Sequence, residues 1–163
     1  MGKRNNFSEM PKSVYSQKKI QYMLKGILSI TGHSGLFKMV AESKNNIIVE
    51  SLETQKRMPV YSTVKISALE DIAIYTESGD KPLKEVFKAI DDLENGGKAI
   101  SHKASNNDLK VYFEKVVPDF DKDRVYISDM KKVVLWYNTL HEKGLLDFSE
   151  SDTDDNIDNT EER

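Results

Sequence analysis

The chain has 163 residues, 38% hydrophobic and 31% charged, with a formal net charge of -3. That length supplies one compact domain or two very small ones. The mean hydropathy is -0.57, no apolar run reaches the roughly 18 to 20 residues that span a bilayer, and the absence of cysteine excludes disulfides, thiolate nucleophiles and cysteine-ligated zinc.

No apolar signal-peptide core opens the chain, so the expected location is cytoplasmic, with no membrane partner. The charge is spread unevenly. Residues 1–23 carry +4, residues 24–76 carry +1, residues 77–148 carry -2 and residues 149–163 carry -6. A basic head and an acidic tail therefore flank a nearly neutral body. Residues 1–22 and 149–163 hold too few apolar side chains to offset the ordering entropy of roughly 1 to 2 kcal/mol per residue, and they read as a disordered extension and a disordered tail. Gly2 suits a myristoylation signal, but Asn6 stands where Ser or Thr is required.

From residue 23 to residue 77, short alternating apolar runs are separated by turn residues, the pattern of a small all-β unit. Strands are expected at 26–31, 36–42, 47–52, 57–62 and 72–76. Gly32 and Gly35 bracket the first turn, Lys44-Asn45-Asn46 makes a hairpin turn, and Pro59 pushes the fourth strand to an edge or a bulge. Ser67-Ala68-Leu69-Glu70 has the spacing of a capping box and starts a single helical turn. Three meandering strands, a fourth, one helical turn and a last short strand follow the order of a small five-stranded barrel of the SH3, Tudor or KOW kind.

Residues 78–148 read as a helical domain, so the fold class is α+β. A first helix over 81–94 carries Leu83, Val86, Phe87, Ile90 and Leu93 at helical spacing, with Asp80 as its N-cap and Pro82 in its first turn. Asn95-Gly96-Gly97 ends it. A second helix starts at Ser105, carries the apolar stripe Leu109, Tyr112, Phe113 and Val116, and stops before Pro118. A third runs from Ser128 to near Gly144 and has the broadest apolar arc, after which Leu145, Leu146 and Phe148 pack back.

Motifs for chemistry fail on spacing. Gly96-Gly97-Lys98 lacks the spacing and the hydroxyl of a phosphate loop. Asp119, Asp121 and Asp123 open like a calcium loop, but Arg124 replaces the glycine at its sixth position and Met130 the glutamate at its twelfth. His33, His102 and His141 form no metal-ligand spacing, and no nucleophile elbow surrounds Ser34. The chain is therefore expected to be no enzyme and to need no cofactor or metal. The remaining signal is aromatic and basic: Phe37, Tyr61 and Tyr75 interleaved with Lys38, Lys56, Arg57 and Lys65.

The runs LKGILSITGHSGLFKMV, IIVESLE, STVKISALEDIAIYT, PLKEVFKAI, ENGGKAISHKAS and DRVYISDMKKVVLWYNTLHEKGLLDF resemble those of an uncharacterised bacterial family of small cytoplasmic proteins, known only as domains of unknown function. The resemblance covers about residues 23–148 and implies a small β unit followed by a helical region. It implies no activity, cofactor or catalytic residue. The basic extension before Met23 departs from the family.

Two functional readings follow. The favoured one is a non-catalytic interaction module with a protein partner, bound through His33, Lys38, Lys56, Arg57, Tyr61 and Lys65. The other is a nucleic-acid-associated factor of transcription or translation. In that reading the basic arm and the barrel lysines lie on phosphates.

Overall fold

The computed structural model describes residues 24–148, so the disorder expected at 1–22 and 149–163 lies outside the described residues. Strand β1 (Ile27–Ile30) leads into β2 (Phe37–Glu42), β3 (Asn46–Ser51), β4 (Arg57–Tyr61) and β5 (Ile66–Ala68). All pairings are antiparallel, and the strand order is β4-β3-β2-β1-β5. Alternation decides which side chain goes where. Ile30, Phe37, Val49 and Val60, joined by Leu28, Met58 and Ile66, form a small core belonging to the sheet. Ile27 points the other way, into a larger core shared with the helices.

The closed barrel expected from the strand order is not formed: β4 and β5 are the outer strands and are not paired with each other. The fifth strand is also a different segment. Ile66–Ala68 pairs with β1, placing Leu28 opposite Ala68 and Ile30 opposite Ile66. The expected fifth strand at 72–76 instead forms β6 (Ala73–Thr76), which folds back on β7 (Gly79–Pro82) in a separate hairpin. The helical turn at Leu69–Asp71 explains the change. It buries Leu69 and reverses the chain just after β5, so the next strand leaves the sheet. Pro59 lies on outer strand β4, where its missing N–H costs no pairing on the open side.

The hairpin also corrects the start of the first helix. Asp80 and Lys81 pair with Tyr75 and Ile74, so these residues are committed to a strand. Helix α1 (Leu83–Leu93) begins only after Pro82, and no side chain caps it. The loop around Asp119 adds a further rung to the hairpin: the Glu77 N–H donates to the Asp119 carbonyl and the Asp121 N–H to the Tyr75 carbonyl, each at 2.9 Å.

The other helix ends follow their local chemistry. Gly96 takes φ +80, and its N–H reaches the Asp91 carbonyl at 2.9 Å, the wrap expected of a left-handed C-cap. Helix α2 (Asn106–Val116) is capped by Ser105, whose Oγ accepts from the Asp108 N–H at 3.1 Å. Helix α3 (Ile127–Glu142) starts one residue before Ser128, and the Asp129 carboxylate accepts from the Tyr126 N–H at 2.9 Å.

The larger core joins both halves. Leu24, Ile27, Leu36 and Leu69 meet Leu83, Val86, Phe87 and Ile90 of α1, Phe113 of α2, and Val133, Trp136, Tyr137 and Leu140 of α3. Each such apolar side chain contributes about 1.5 to 3 kcal/mol when fully buried. Phe148 returns to this core, with Leu146 packed against it.

Candidate binding cleft

Where the β1–β2 turn faces α3, a cleft of about 610 Å³ opens. That lies within the few hundred to about 1,000 Å³ of ordinary ligand sites. Ile74, Val125, Val133 and Trp136 form a buried apolar floor. His33, Lys65, Arg124 and Lys132 are exposed around it, with Asp129 as the carboxylate of the lining.

Each rim group is set by its element. The His33 N–H donates to the Ile30 carbonyl at 3.0 Å, and the imidazole stands edge-on to Phe37 with ring centroids 6.0 Å apart. Lys65 comes alongside because its carbonyl accepts from the Thr31 N–H at 3.0 Å. Between them Gly35 has φ +85 and sits against the Glu53 carboxylate. Glu53 Oε1 lies 3.5 Å from the Thr139 hydroxyl, which donates to the Leu135 carbonyl at 2.9 Å.

On the opposite side, Arg124 Nε donates to Asp121 Oδ2 at 2.8 Å. Its guanidinium lies 4.2 Å from the centre of the Tyr75 ring, a cation–π contact. Asp121 Oδ1 also accepts from the Asp123 N–H at 2.9 Å. The Arg124 guanidinium is the main reason that the Asp121 carboxyl is held below the usual carboxylate range. Among the described residues, Lys65 and Lys132 have no ion-pair partner. The site thus offers two uncommitted ammonium groups and one oriented guanidinium above a greasy floor. Such an arrangement is chemically complementary to an apolar group flanked by carboxylates or phosphates.

The six residues singled out in the sequence do not come together. His33 and Lys65 line the cleft. Lys38 and Arg57 flank Glu50 across three strands, at 3.3 and 2.9 Å, and hold its carboxyl below the usual range, Arg57 first. Lys56 sits in the β3–β4 turn, its N–H directed to Thr54 Oγ1 at 3.4 Å. Tyr61 ends β4, 56% exposed. Sequence reasoning missed Arg124, Lys132 and Trp136. The available hint was that Lys132 and Trp136 stand four residues apart on one helix, and so share a face.

Among the described residues, no three His, Asp or Glu side chains are grouped to hold a metal ion. A separate polar seam fastens the 96–100 turn to α3. Tyr137 donates to the Gly97 carbonyl at 3.0 Å and His141 Nε2 lies 2.8 Å from the Gly96 carbonyl. Asn138 accepts from the Ala99 N–H at 2.8 Å and donates to the carbonyls of Ala99 and Ile100. Burial, helped by the Asp91 and Glu94 carboxylates, pushes the Tyr137 hydroxyl up to about 12.

Comparison with known proteins assigns the chain to a class before any activity. Residues 24–69 match a family model described as a domain of unknown function (DUF5606), and residues 72–140 match another so described (DUF6852). The two matched segments meet at the helical turn after β5. A solution NMR structure of a Bacteroides vulgatus protein, a Northeast Structural Genomics Consortium target, is 44% identical, covers 77% of this chain and 90% of that chain, and has a TM-score of 0.64. No curated protein matches the chain. The chain belongs to this uncharacterised bacterial family. No helix among its described residues is long and apolar enough to cross a membrane.

Proposed function

We propose that the protein is a non-catalytic, cytoplasmic interaction module whose cleft docks an acidic segment of a partner protein carrying one apolar side chain. The observation that carries this reading is the pairing of exposed Lys65 and Lys132, free of ion pairs among the described residues, with the buried floor of Ile74, Val133 and Trp136. The floor supplies affinity through buried area, and the rim selects for negative charge.

The small sheet serves as a barrel-like scaffold in this proposal. Support comes from its core, which draws Ile30 from β1, Phe37 from β2, Val49 from β3, Val60 from β4 and Ile66 from β5. Strands at opposite ends of the order share one cluster, as in a sheet that curls on itself. The rival partner, a nucleic acid, is disfavoured on charge. Glu50 already engages Lys38 and Arg57, and residues 24–76 carry only +1, a poor footprint for a polyanion.

The test is a photo-crosslinking amino acid at Ser34 of the full chain, expressed in its native cell. The expected result is protein adducts that survive nuclease and are reduced by Lys65→Glu with Lys132→Glu. Adducts lost on nuclease treatment point to nucleic acid and defeat the proposal. A hydrolase or nucleotide-turnover activity abolished by His33→Ala or Asp121→Ala overturns its non-catalytic part.

A further inference from the structure

We infer that the acidic segment 149–163 of the same chain is itself a ligand of this cleft. In the inferred complex Ile157 would cover the apolar floor, and Asp154, Asp155 and Asp158 would meet Lys65, Arg124 and Lys132. The inference rests on the cleft being the docking surface proposed above and names one occupant of it.

Three observations point the same way. The first is charge: segment 149–163 carries -6, and the cleft presents Lys65, Lys132 and Arg124. Asp129, the carboxylate of the lining, is turned to the Tyr126 N–H at 2.9 Å. The second is pattern: Ile157 is the apolar residue of the segment and stands within Asp154-Asp155-Asn156-Ile157-Asp158. One aliphatic side chain among carboxylates is the complement of an apolar floor inside a basic rim. The third is reach. Phe148 is anchored in the larger core, and Ile157 stands nine positions further on, about 30 Å of extended chain. The cleft is lined by the first half of α3, and the whole 16-residue helix is about 24 Å long. The segment can therefore run back along α3 and still seat Ile157.

Tethering makes a weak contact count. A short covalent tether gives an effective concentration on the order of millimolar, so even a modest intrinsic affinity fills the cleft for part of the time. A partner segment must displace it, and its apparent affinity falls by the fraction of chains whose cleft is open.

The experiment uses the full chain. It contains no cysteine, so Asn159→Cys places one nitroxide beyond Ile157. The expected result is selective broadening of amides at 32–35, 65 and 132–136. That broadening should be lost with Lys65→Glu and Lys132→Glu, lost in about 0.5 M salt where screening is strong, and reduced by Ile157→Ala. Trp136, the single tryptophan of the chain, gives a second readout, because Ile157→Ala should shift its emission while leaving the circular dichroism unchanged. Broadening that is absent or evenly spread overturns the inference. So does broadening that appears only when labelled and isotope-enriched chains are mixed, which would mean a second copy. Crosslinking at Ser34 separates the two proposals. Ile157→Ala should raise the yield of partner adducts. An unchanged yield with adducts still present sinks the tethered ligand alone, while loss of adducts to nuclease sinks the docking reading.

Discussion

At the scale of single residues, the β1–β2 turn depends on two glycines. Both Gly35 and Gly32 hold positive φ, +85 and +87, so alanine at either costs roughly 1 to 2 kcal/mol of left-handed strain. A Cβ on Gly35 would also meet the Glu53 carboxylate at 3.4 Å, whereas one on Gly32 meets nothing within 4 Å. The Gly35 approach is ordinary van der Waals contact with the end of a flexible side chain, so Gly35→Ala and Gly32→Ala are expected to lower the urea midpoint to a similar extent. A clearly larger fall for Gly35→Ala would show that the Glu53 carboxylate is held too rigidly to give way. Asn138 is a further such residue. Asn138→Ala leaves the Ala99 N–H and two carbonyls without their partner, at a cost of roughly 1 to 3 kcal/mol. Native-state hydrogen exchange should show the Ala99 amide losing protection before the helices do.

At the scale of elements, the helix ends separate real caps from apparent ones. Ser105 accepts from the Asp108 N–H, so Ser105→Ala should cost about 1 kcal/mol. Ser128 looks equally good in sequence but lies inside α3, with Asp129 reaching back to the Tyr126 N–H instead. Ser128→Ala should therefore leave the melting temperature nearly unchanged. The seam between α3 and the 96–100 turn has a pH signature. Tyr137 is raised to about 12 in the folded chain against about 10 unfolded, so its contribution is fully present below pH 10 and is lost as pH rises toward 12. Burial raises Tyr112 as well, in the same sense. Denaturation midpoints should fall through this window, and Tyr137→Phe should flatten the fall.

At the scale of the whole molecule, one core crosses both halves, so sheet and helices are expected to unfold together. Leu69 is fully buried in the turn between β5 and β6, inside the shared core. Leu69→Ala should cost about 2 to 5 kcal/mol and shift the transitions seen by Trp136 emission and by circular dichroism equally. Two separated transitions would show that the halves are independent.

What the amino-acid sequence determined by itself was local. The stripe of Leu83, Val86, Phe87 and Ile90, the Ser105 cap and the stop at Pro118 depend on neighbours within a turn or two of helix, and such signals survive without a partner. The first four strands were legible for a similar reason, since alternation and turn residues mark them directly. Only the tertiary structure decided which segment became the fifth strand. Ile66–Ala68 is three residues long, too short for any period, and was selected by its fit beside β1, while the stronger pattern at 72–76 was drawn into a hairpin by Gly79–Pro82. The cleft was decided in the same way. His33 and Lys65 stood out in sequence, but Arg124, Lys132 and Trp136 joined them only because the shared core presses α3 against the β1–β2 turn, and contacts across so many residues leave no periodic trace in the chain.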